Sequence, residues 1–196
     1  MKLLNNLTGF SAVALLMLAA SCSKNDDNNT TEPTVELKTV TVTNLQADTA
    51  NRGNYTLYSL AENKVIPNSD SASSKWDIGF KATSIIINGG VSGPGKATGQ
   101  VVNGVFSSLT EAPASGYVSD STGSLTFKGW YSYNATTHII STVPGKILIL
   151  KTPGGKYAKL EILSYYKDAP ANPDLTAVSR MYKFQYVLQT NGTAKF

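Results

Sequence analysis

The chain has 196 residues, a formal net charge of +4, 15% charged residues, one cysteine and one histidine. Its basic residues are scattered with no run of adjacent Lys or Arg, so the basic stripe that a nucleic-acid partner requires is missing and none is expected. A single histidine and a single cysteine, with no H-x-x-x-H and no paired-carboxylate spacing on a recognisable element, assemble neither a catalytic triad nor a zinc site, and an enzyme is not expected.

At the N-terminus, Lys2 precedes the apolar run "FSAVALLMLAA" and then Ser21-Cys22. That run is too short to span a bilayer stably and has the proportions of a secretory signal over residues 1–21. Cys22 follows the small residues at which such a signal is cut, in a pattern that resembles a bacterial lipobox, with Ala19 where leucine is commoner. The reading is a lipoprotein acylated at Cys22, the alternative an ordinary signal with a chance cysteine. An acylated Cys22 leaves no thiol for disulfides or nucleophilic chemistry, so the fold must be held by its core. "SKNDDNNTTEPT" has no apolar periodicity and reads, with Cys22, as a flexible tether over residues 22–34. Lys24-Asn25-Asp26-Asp27 is similar to the acidic signal of some surface lipoproteins.

Residues 35–196 are enough for one domain with a real core, and no internal repeat or second linker divides them. Strands dominate the predicted elements. "VELKTVTVTN" alternates, "YTLYSL" is short and aromatic, and "KWDIGFKATSIIIN" holds two apolar segments. "KILILKT" and "YAKLEILSYY" flank Pro153-Gly154-Gly155 and predict a hairpin. "RMYKFQYVLQ" puts Tyr182, Phe184, Tyr186 and Leu188 on one face and Lys183 and Gln185 on the other. One short helical turn, capped by Asp174, is expected in "DAPANPDLTAVSR". The fold class is all-β or strand-dominated, in a single domain.

"GGVSGPGKATGQ" approaches a phosphate-binding loop, in which glycine amides cradle the anion and a hydroxyl after the lysine binds magnesium. Ala97 stands at the hydroxyl position, and the β-branched, glycine-interrupted run that follows is poor helix material. A glycine-rich loop between strands is the stronger reading.

Taken together, Trp76-Asp77, then Ser92, Gly93, Gly95 and Lys96, then Trp130 and Tyr133, then Gly155, Lys156, Tyr157, Lys159, Tyr165 and Tyr166 resemble, in identity and order, the HmuY family of surface lipoproteins, over roughly residues 35–196. The resemblance implies an antiparallel β domain with projecting hairpins, lipid-anchored at the outer membrane and exposed at the cell surface. It implies that heme is the ligand, gripped between two projections, ligated from both sides by two histidines or two methionines, and passed to an outer-membrane heme receptor. Contact with the membrane is through the lipid anchor only.

Outside residues 1–21, the axial donors available are His138 and Met181. The loop that carries the family's first ligand is reduced here to "SLTFKGW", and counting to the second ligand lands on Asn134 or Ala135. No ligand position therefore transfers residue by residue. His138 and Met181 are the candidate iron ligands on their own chemistry, and Trp130, Tyr131 and Tyr133 the candidate slot-lining aromatics, with core and rim packing as the competing role. The competing function is a surface interaction or structural lipoprotein on the same scaffold that ligates no heme.

Overall fold

The computed structural model describes residues 37–196; Cys22, the signal reading of 1–21 and the tether reading of 22–34 lie outside the described residues. Eleven strands form two antiparallel sheets and a separate hairpin. In the five-stranded sheet, β1 (Val40–Gln46), β11 (Ser179–Leu188), β10 (Tyr157–Tyr166), β9 (Lys146–Lys151) and β6 (Thr98–Asn103) lie side by side in that order. The four-stranded sheet has the order β3 (Lys64–Ile66), β2 (Thr56–Ser59), β4 (Ile78–Lys81), β5 (Ser84–Ile87). The remaining pair is β7 (Tyr131–Asn134) with β8 (Ile139–Thr142).

The two larger sheets meet face to face because alternate side chains on each are large and apolar. Tyr58, Ile78, Phe80, Ile85 and Ile87 from one meet Leu148, Leu150, Leu160, Tyr182, Phe184 and Tyr186 from the other. Phe80 stacks on Phe184 at 5.3 Å between ring centroids, and Tyr58 meets the same ring edge-on at 5.7 Å. The face of β11 expected from its alternation is thus the core face; Leu188 is only half-buried at its end.

The five-stranded sheet is covered on its other face as well. Ile147, Ile149 and Val187 pack there against Phe106, Ala112 and the C-terminal Phe196. Coverage on both faces explains why "ILIL" in β9 reads as an unbroken apolar run, each residue fully buried and stabilising by about 2 kcal/mol. The predicted hairpin forms, with Lys151 opposite Tyr157 and Gly155 at φ +78°. The helical turn expected around Asp174 does not form. Its carboxylate accepts the Thr176 N–H and hydroxyl at 2.8 and 2.6 Å, which closes a turn instead. Among the described residues, helix is limited to the 3-10 turns Asn68–Asp70 and Phe106–Ser108.

The glycine loop is a closed junction. Asn88, fully buried, donates from Nδ2 to Ser73 O and Trp76 O at 2.9 and 2.8 Å and accepts Gly95 N–H at 2.8 Å. Asp120, 2% exposed, accepts Ile87 N–H at 3.0 Å and Thr126 N–H at 2.7 Å. A Cβ on Gly93 would lie 2.4 Å from Asn88 Oδ1 and 2.6 Å from the Trp76 ring, so glycine is needed to let the loop close on both.

Candidate ligand site at a projecting hairpin

The β7–β8 hairpin turns through residues 135–138. Asn134 Oδ1 accepts the Thr136 and Thr137 N–H groups at 2.9 and 3.1 Å, and His138 completes the turn at φ +56°, a left-handed conformation that histidine tolerates better than most residues. Its base is fixed by Trp130, which donates from Nε1 to Thr83 O at 3.3 Å, and by Ile140 N–H, which donates to Tyr166 Oη at 2.9 Å.

Cross-strand pairing sorts the hairpin's side chains onto two faces. Tyr131 pairs with Thr142 and Tyr133 with Ile140 on one; Ser132 pairs with Ser141 and Asn134 with Ile139 on the other. The second face forms one wall of a cleft of about 640 Å³, with Thr136 and Thr137 at its tip, and residues 171–175 from the β10–β11 connection form the opposite wall. That volume is within the range of small-ligand sites. Leu175 at the rim is 76% exposed.

The candidate residues are not gathered around this cleft. Trp130 is a core residue rather than a slot lining: it is 1% exposed and packs at 4.8 Å from Tyr131 and 5.3 Å from Tyr182. Tyr131 is half-buried against the same core. Tyr133 is 53% exposed on the hairpin face away from the cleft, where its hydroxyl is hydrogen-bonded to His138 Nδ1. Met181 is 9% exposed within β11, opposite Gln46 of β1, and is absent from the cleft lining, as is His138.

The cleft walls therefore supply no axial donor. They also supply no lysine or arginine for a heme propionate, and their one carboxylate is Asp174, whose pKa its hydrogen bonds to Thr176 hold below the usual range. Heme gripped from both sides within the cleft does not fit these residues. His138 does fit coordination from one side: it is exposed, and with Nδ1 engaged by Tyr133 the other ring nitrogen, Nε2, would be the one to meet iron. Among the described residues, no cluster of three or more His, Cys, Asp or Glu could hold a metal ion.

Sequence reasoning missed the second cleft wall. Its signal was Pro170 and Pro173, which bar the segment from either neighbouring strand and leave it free to stand beside the hairpin.

The family model described as HmuY protein matches residues 51–186. Among solved structures, apo PinO from Porphyromonas gingivitis is similar at 15% identity and a TM-score of 0.52, over 80% of this chain and 99% of that one. The apo HmuY analog of Tannerella forsythia is similar at 15% identity and a TM-score of 0.47, over 79% and 96% of the two chains. No curated protein matches. With most of the described domain inside the family match, and with its all-β fold, the chain belongs to the HmuY family.

Proposed function

We propose that this protein is a lipid-anchored heme-binding protein that takes heme on the β7–β8 hairpin, with His138 Nε2 as its protein ligand, and passes it to an outer-membrane receptor. The observation that carries the reading is the exposed His138 held at the hairpin tip by Tyr133. With Nε2 on iron, Nδ1 carries the proton and donates it to the Tyr133 oxygen, which fixes the ring and raises its donor strength. Membership of the HmuY family supports binding rather than catalysis. Met181 enters this reading only as a second donor that the hairpin would have to reach.

The anchor belongs to the same proposal: a signal over 1–21, acylation of Cys22, a tether over 22–34 and a binding domain over 35–196 at the outer-membrane surface. No helix among the described residues is long and apolar enough to cross a membrane.

Titration with hemin, followed by absorbance, tests the reading. A saturable, sharpened Soret band at micromolar protein, lost in His138→Ala, is expected; no spectral change in either redox state refutes it. A second reading, a surface interaction lipoprotein that ligates no heme, is favoured by the missing axial donors and cations of the cleft and by the exposed Leu175 at its rim. An unchanged hemin spectrum leaves this reading standing.

A further inference from the structure

On the outer face of the five-stranded sheet lies a groove of about 820 Å³ that shares no residue with the hairpin cleft. Leu37, Val105, Phe106, Val187 and Phe196 give it apolar walls. Lys159 opens into it from β10 and is only 5% exposed. Its Nζ donates to Phe106 O at 2.8 Å and Leu109 O at 2.7 Å and lies 4.7 and 5.3 Å from the centres of the Phe106 and Phe196 rings.

An ammonium has three protons, and two carbonyls take two of them. Among the described residues no carboxylate lies within ion-pair distance of Lys159; the ion pairs present are Lys64–Glu62 and Lys75–Asp70. Burial of a cation with no carboxylate beside it is costly, and it holds the Lys159 pKa below the usual lysine value. Two residues along the same face, Glu161 also lines the groove, with its Oε2 accepting Gln185 Nε2–H at 2.7 Å. The groove thus carries one buried cation, one carboxylate two residues along the same strand, and apolar walls beside them.

We infer that this groove binds an apolar monocarboxylate, its carboxylate accepting the third Lys159 proton and its hydrocarbon body lying along Leu37, Val105, Phe106, Val187 and Phe196. The site is separate from the heme reading and stands or falls without it.

Calorimetric titration with decanoate, kept below its micelle concentration, tests the assignment. Decanoate is expected to bind one-to-one, and Lys159→Met, which keeps the length and removes the charge, to weaken it by about tenfold or more. Should Lys159→Met fail to fold, Ser107→Trp provides the second variant, since Ser107 is exposed at the groove rim and the indole would obstruct it. Absence of saturable decanoate binding, or an unchanged affinity in Ser107→Trp or in folded Lys159→Met, overturns the proposal.

Discussion

Tyr133 Oη and His138 Nδ1 are hydrogen-bonded across the turn end of the β7–β8 hairpin, so the one imidazole of the chain has one ring nitrogen engaged by a phenol five residues earlier. Tyr133→Phe removes that partner and leaves the packing nearly unchanged. Under the heme proposal its hemin affinity falls by about tenfold, the usual loss when the group orienting a metal-bound histidine is removed. Absorbance titration of the two proteins checks this. Equal affinities would mean that the pair shapes the turn and plays no part at the iron.

Asn88 makes three hydrogen bonds from a fully buried position. Asn88→Ala leaves Gly95 N–H and the Ser73 and Trp76 carbonyls without that partner, and is expected to cost about 2–4 kcal/mol. Gly93→Ala acts at the same point by collision and should cost about 1–3 kcal/mol. Urea unfolding of each variant gives the values, and the two losses should combine non-additively because they share one contact.

Burial raises the Asp77 carboxyl pKa to about 6, with the Leu60 N–H bond to Oδ2 at 2.8 Å and the charge of Lys156 opposing the rise and that of Glu62 adding to it. The folded pKa lies above the ordinary value of 3.8, so the fold binds this proton more tightly than the unfolded chain does. Its stabilisation is complete below the unfolded pKa and is lost as pH rises through the folded one. From about pH 4 to about pH 7 the unfolding free energy of wild type should fall relative to Asp77→Asn by on the order of 2–3 kcal/mol. Denaturant titrations of both proteins across that range measure the difference. A parallel pH dependence of the two would show that Asp77 ionises as it does in the unfolded chain.

Under the anchor proposal, cells given labelled palmitate incorporate it into wild-type protein and not into Cys22→Ala. The variant should leave the membrane fraction, since no other cysteine is present to take an acyl chain. Labelling that persists in the variant would place the lipid elsewhere.

Much of the scaffold was legible in the sequence. Alternation marked the core face of β11, and Pro153-Gly154-Gly155 marked the β9–β10 turn, because both signals are local. The roles of Asn88 and Asp120 were not legible. Each is defined by backbone groups far along the chain, Asp120 by Ile87 N–H across 33 positions. The same limit applied at the site. His138 stood out as the only histidine, but whether Trp130 faced a ligand or the core depended on Tyr182 and Thr83, which only the tertiary fold brings to it. Asp174 suggested a helix cap, and its short side chain closed a turn through Thr176 before any helix could begin.

The hairpin's attachment has a dynamic consequence. The β7–β8 ladder pairs with neither of the larger sheets; the Ile140 N–H bond to Tyr166 Oη and the packing of Tyr131, Ile139 and Ile140 on the core link it to them, with Trp130 at its base. A two-stranded ribbon held this way opens as its own cooperative unit, well below the cost of unfolding the β9–β10–β11 centre. Amides of Ser132 to Ile140 should therefore exchange with deuterium long before those of Leu148 or Leu160. A bound ligand that engages His138 would slow that exchange, so protection of the hairpin registers occupancy even for a ligand with no colour of its own.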